Sequence, residues 1–211
     1  MGIKDAYLKD PCRTSSLPYW KSRVVKIPES MRILREDDFD EEMLENYCDD
    51  PYFKFRHDLL ELKSEVVPLG FRLVEATPAD FAKHISICYD REGVTVQELE
   101  RLKEHFTYDP ALWIALEDTY SGEFAATGIA GLDPEIGEGI LEWIQVSSTY
   151  RRRGLGRYIV CELLSRMEGK AGFATVSGRI NNRSKPELLY VSCGFRDRVV
   201  WHVLTRKETG V

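Results

Sequence analysis

The chain has 211 residues, a net charge of -6 and 43% hydrophobic residues, enough for one large domain or a domain with an appendage. The acidic balance argues against nucleic acid as a partner and mildly favours cationic substrates such as amines. No apolar stretch reaches the ~18 residues that span a bilayer, so no membrane partner is expected.

Residues 1–10 lack an apolar signal region, and Ala6 breaks the myristoylation pattern that Gly2 would begin. Cys12, Cys48, Cys88, Cys161 and Cys193 are dispersed with no CxxC pair. That usage predicts reduced thiols and a cytoplasmic location. His57, His84, His105 and His202 stand apart from one another and from the cysteines, so no metal site is expected.

In chain order, residues 11–21 form a turn-rich, aromatic segment that reads as an arm packed on the main body. Phe39, Met43, Leu44 and Tyr47 have helical spacing in an acidic stretch, which predicts a helix over 36–47. Phe55, Leu59 and Leu62 predict a second helix over 53–62, and Pro68 closes this N-terminal extension of residues 1–66. A mixed α/β rhythm fills 67–211. Strands are predicted at 71–76, 113–117, 124–132, 140–146, 173–177 and 199–204. Thr77-Pro78-Ala79-Asp80 and the capping box Thr95–Glu98 open helices that run to about Tyr89 and His105. Further helices are expected over 156–167 and 185–192, the second opened by Pro186.

The junction after the strand at 140–146 carries the most chemistry. Arg151, Arg152, Arg153, Gly154, Leu155, Gly156 and Arg157 lead from that strand into a helix. A helix N-terminus presents unpaired N–H groups and partial positive charge. Glycines let backbone approach an anion, and arginines add charge-assisted contacts. The expected ligand is a pyrophosphate.

Arg-x-x-Gly-x-Gly (Arg151, Gly154, Gly156), then Asn181-Asn182, then Leu189-Tyr190-Val191-Ser192-Cys193-Gly194-Phe195 follow in order. This succession resembles the GNAT superfamily of acyl-CoA-dependent N-acetyltransferases. That superfamily has a Gln/Arg-x-x-Gly-x-Gly/Ala pyrophosphate loop and a later Leu-Tyr-x-x-x-Gly-Phe motif. The resemblance is specific over 138–204, looser from 70, and does not reach residues 1–66. It implies a mixed, mostly antiparallel α/β sheet flanked by helices; the N-terminal arm of two helices, read from residue spacing and not from the resemblance, is expected to pack against it. It also implies acetyl-CoA as co-substrate, no metal, and transfer to a primary amine by direct attack in a ternary complex.

On that basis the amides of 152–157 would hold the pyrophosphate. The strand edge at Ile144 and Val146 would pair with the pantetheine amides. A backbone N–H near Ile144 would polarise the thioester carbonyl, and Asn182 would contact the coenzyme. Tyr190 matches the family tyrosine near the sulfur, a general acid or hydrogen-bond donor to the departing thiolate. Glu142 is the expected base: it is the carboxylate on the central strand two residues from Ile144, so the pleat would put both on one face. The chain departs from the family in having Pro186, not alanine, four residues after Asn182.

Bland readings stand beside each assignment. Tyr190 could be a packing residue, Glu142 a solvated or ion-paired carboxylate, Asn182 an ordinary loop residue, the histidines surface or core residues, and Cys161 and Cys193 small apolar packing groups. Two other functions stay open: a CoA-binding regulator without turnover, and an enzyme whose 1–66 extension is a protein-interaction module. The acceptor, a small-molecule or peptide amine, is not legible in the sequence, and a homodimer is left open.

Overall fold

The computed structural model describes residues 2–89 and 93–207. In chain order the elements are α1 (Ile3–Lys9), α2 (Pro11–Thr14), α3 (Tyr19–Val24), β1 (Met31–Arg35), β2 (Tyr47–His57), β3 (Phe71–Val74), α4 (Pro78–Cys88) and α5 (Val96–Lys103). There follow β4 (Trp113–Asp118), β5 (Phe124–Asp133), β6 (Glu138–Val146), α6 (Leu155–Met167), β7 (Phe173–Arg179), α7 (Pro186–Ser192) and β8 (Arg196–Arg206). The fold class is the expected mix of helices and largely antiparallel sheet. Two compact units interleave along the chain.

One unit comprises 1–57, 175–191 and 195–211. Its β8 pairs antiparallel with β1 on one edge and with β2 on the other. Helices α1 to α3 make its N-terminal segment helical, but the two helices expected further on are absent. Over 36–47 the chain forms two 3-10 turns, Glu36–Asp38 and Glu41–Glu45, with Phe39 and Asp40 extended between them. Asp40 accepts from the Glu42 N–H at 2.9 Å and so starts a new turn. Phe39 leaves the helical track to stack on His202 at 3.7 Å.

Residues 47–57 are strand β2, where a helix was expected from Phe53. Phe53, Phe55 and His57 are buried with a period of two, a strand's spacing. Beyond the strand, Leu59 and Glu61 have φ of 57° and 52°, which no right-handed helix accommodates. Lys54 is buried as well. Its Nζ donates to Tyr7 Oη at 3.0 Å and to the carbonyls of Ser15 and Leu17 at 2.8 Å each. The cation is solvated by the folded arm instead of by water.

The other unit comprises 58–174 and 192–194. Strands β3, β4, β5 and β6 form an antiparallel meander in chain order. The expected cap at Thr77 is a capping box with Asp80, and the expected box of Thr95 with Glu98 is present; they open α4 and α5. These helices cover one face of the meander through Phe81, Ile85, Leu99, Ala115 and Ile129. The adjacent residue Gly128 faces α6: a Cβ there would lie 2.5 Å from Ile159 Cγ2 and 3.1 Å from Leu163 Cδ1. The small residues of β5 thus let α6 approach the sheet closely.

Candidate active site

Strand β6, the loop after it and α6 form one continuous stretch of the second unit. Ser147 N–H donates to the Ala125 carbonyl at 3.0 Å. In an antiparallel strand the hydrogen-bonding direction alternates. Ile144 and Val146 therefore turn their N–H and C=O groups to the edge away from β5. The Ile144 carbonyl accepts from Tyr89 Oη at 3.4 Å, and the Val146 carbonyl from Arg151 Nε at 3.3 Å.

A β-bulge interrupts the pairing just upstream. Trp143 pairs with Ile129 and Leu141 with Ala130, which leaves Glu142 as the extra residue. Glu142 therefore sits at the irregular point of the strand, two residues before Ile144. Glu142 is half-buried.

Past β6, the 3-10 turn Ser148–Tyr150 leads to Arg151 in extended backbone, Arg152 at φ 61° and Gly154 at φ 82°. Left-handed residues in such a turn splay successive N–H groups into a concave, anion-facing nest. Gly154 is the N-cap of α6 and supplies no side-chain cap to the first-turn amides. The positive φ at Gly154 demands glycine, although the space is open: a Cβ would meet nothing nearer than Pro68 Cγ at 3.9 Å.

Arg151, Arg152, Arg153 and Gly154 are exposed. The Arg153 guanidinium lies 5.5 Å over the Tyr150 ring. Leu155 is buried at 1% exposure and anchors the helix, so only its backbone faces the loop. Arg157 is engaged by Glu65, Nε to Oε1 at 2.6 Å, and this carboxylate holds its guanidinium above the usual arginine range. Gly156 follows in the first turn of α6. An anionic diphosphate fits this donor set of exposed arginines, uncapped amides and a Cβ-free N-cap.

Tyr190 and Asn182 belong to the other unit. Tyr190 is buried, its ring tilted on Phe53 at 6.0 Å and edge-on to Phe195 at 5.6 Å. The Phe195 N–H donates to the Tyr190 carbonyl at 3.1 Å. Asn182 Oδ1 accepts from the N–H and hydroxyl of Ser184 at 2.9 and 2.7 Å. This Asx turn precedes α7, and the role accounts for the side-chain oxygen of Asn182 but not for its amide.

A polar chain that spacing does not reveal lies between α4 and the meander. His84 is buried, with Nδ1 2.8 Å from Thr127 Oγ1 and Nε2 2.7 Å from Ser147 Oγ. Gln145 donates to the same Thr127 hydroxyl, and Ser147 donates to the Phe124 carbonyl at 3.3 Å. With Gln145 donating to Thr127 and Ser147 to Phe124, Thr127 gives its proton to Nδ1, and Nε2–H points to Ser147. Burial pushes His84 down to about 4, so the imidazole is neutral at pH 7.

Among the described residues, no cluster of His, Cys, Asp or Glu could hold a metal ion. Among them, too, no helix is long and apolar enough to cross a membrane.

Residues 109–197 match the family model of the acetyltransferase (GNAT) domain. No curated protein sequence matches the chain. The fold is similar to a GCN5-related N-acetyltransferase from Sphaerobacter thermophilus (TM-score 0.65, 16% identity, 98% of this chain and 67% of that one). It is also similar to one from Kribbella flavida (0.55, 15%, 86% and 68%). A GNAT-family acetyltransferase from Colwellia psychrerythraea gives 0.58 at 12% identity, over 82% and 64%. The chain thus spans about two thirds of the length of these structures, and at such identities the likeness is one of fold.

Proposed function

We propose, from the premise that this chain carries a GNAT acetyltransferase domain, that it transfers an acetyl group from acetyl-CoA to a primary amine within a ternary complex. The observation that carries the reading is the 151–157 loop, with left-handed Arg152 and Gly154, exposed arginines and the uncapped start of α6. Acetyl-CoA supplies the activated acetyl thioester. The amides of 152–157, with Arg151, Arg152 and Arg153, hold its pyrophosphate. The edge of β6 turned away from β5 at Ile144 and Val146 aligns the pantetheine arm, and the Ile144 N–H stabilises negative charge developing on the carbonyl oxygen.

Glu142, directly or through water, takes the proton that the amine sheds as the C–N bond forms. Tyr190, the role carried over from the family motif, gives a proton to the sulfur as the C–S bond breaks. Asn182 supports the coenzyme through its amide. This division of roles leaves no net proton change on the protein once Glu142 and Tyr190 re-equilibrate.

The test is calorimetric titration with CoA, followed by thiol release from acetyl-CoA against polyamines, aminoglycosides, amino acids, arylalkylamines and peptide N-termini. CoA binding and thiol release with at least one amine are expected. Absence of CoA binding removes the reading, and binding without release to any amine replaces the enzyme with a CoA-responsive regulator.

A further inference from the structure

Tyr89 ends α4, where its N–H donates to the Ile85 carbonyl at 3.1 Å. Its ring meets that of Trp143 edge-on, at 5.7 Å and 82°. Its hydroxyl reaches the Ile144 carbonyl at 3.4 Å. Trp143 packs against the buried cluster of Phe81 and Ile129. One wall of this aromatic corner is therefore set by a strand and the other by a helix end. Both rings are only half-buried. Glu142, a carboxylate, is the next residue along the strand.

The corner closes on the residue that matters most. The N–H and C=O of Ile144 face the same edge of β6, and the reading above gives that N–H to the thioester oxygen. A phenol hydrogen-bonded to the C=O of the same residue lies beside the reacting carbon. We propose that Tyr89 and Trp143 seat the acceptor, and that the acceptor is an arylalkylamine. The Tyr89 hydroxyl and the Ile144 carbonyl hold the nitrogen. The Tyr89 and Trp143 rings pack the aryl group and receive the ammonium form by cation–π attraction; it releases one proton to bulk water before attack, and Glu142 takes the second as the C–N bond forms. This inference rests on the acetyl-transfer reading.

The experiment uses the full chain, with phenethylamine, spermidine and an aminoglycoside as acceptors. Phenethylamine is expected to have the highest kcat/KM. In Tyr89→Phe its KM rises about tenfold, the loss of one hydrogen bond to a polar nitrogen, while the KM for acetyl-CoA is unchanged. Calorimetry of phenethylamine into CoA-saturated protein gives a readout independent of turnover, and its Kd should rise in parallel in Tyr89→Phe and in Trp143→Leu. Melting temperatures identify any variant that fails to fold, and Trp143→Phe then replaces Trp143→Leu. If CoA binds but both variants keep the wild-type amine KM and Kd, or if spermidine or the aminoglycoside is preferred, the acceptor seat is wrong and acetyl transfer stands. If CoA does not bind, the acetyl-transfer reading itself fails and takes the seat with it.

Discussion

His84 Nε2 lies 2.7 Å from Ser147 Oγ, which ties the middle of α4 to the first residue after β6. The bond fastens one end of the strand that carries Ile144 and Val146, at the point where the chain leaves for the arginine loop. With the Thr127 contact on Nδ1, it holds the imidazole in one tautomer.

That environment sets a pH dependence. Burial lowers His84 to about 4 from its ordinary value near 6.5. Between those values the unfolded chain binds a proton that the folded chain does not. Stability is therefore whole above about pH 6.5 and declines as the pH falls toward 4, by at most about 3 kcal/mol from this group. Urea melts from pH 7 to 4.5 should show the decline, and His84→Gln should flatten it. An equal slope in wild type and variant would show that His84 is not its source.

Gly154→Glu should abolish CoA binding. The substitution forces a side chain into a left-handed N-cap at φ 82° and places a carboxylate where a diphosphate is expected. Gly154→Ala separates the two effects. It carries the backbone strain alone, about 1 kcal/mol, and should weaken binding far less. CoA affinity by calorimetry decides, and wild-type affinity in the Glu variant would dismiss the loop assignment.

Tyr190→Phe keeps the ring that packs on Phe53 and Phe195 and removes only the hydroxyl. Folding stability should change little. Turnover should drop by about 10²-fold, with a smaller change in KM, if the phenol protonates the sulfur. An unaltered rate and pH profile would leave Tyr190 as a packing residue.

Gly128→Ala tests the contact between α6 and the sheet. Its new methyl would stand 2.5 Å from Ile159 Cγ2 and 3.1 Å from Leu163 Cδ1. Overpacking of this kind costs about 1–3 kcal/mol. Chemical denaturation should show that loss, and an unchanged midpoint would mean that α6 yields more easily than its packing suggests.

Features that depend on neighbours a few residues apart are legible in the chain. Thr77 with Asp80 and Thr95 with Glu98 announce helix starts because a cap needs only its own first turn. The left-handed N-cap at Gly154 is local in the same sense. So is the order of strand, arginine loop and helix, because β6, the loop and α6 follow one another in the chain. Features that depend on distant partners emerge in the folded molecule alone. The residues from Phe53 to Leu62 show helical spacing, yet β2 forms there because β8, some 150 residues on, offers a pairing edge and Tyr7, Ser15 and Leu17 solvate Lys54. His84 looked like any core histidine until Thr127 and Ser147, 43 and 63 residues away, closed on its ring. The bulge at Glu142 likewise exists only against β5. Local propensity is written in adjacent residues, whereas burial and the partner of a polar group depend on which remote segments the fold brings together.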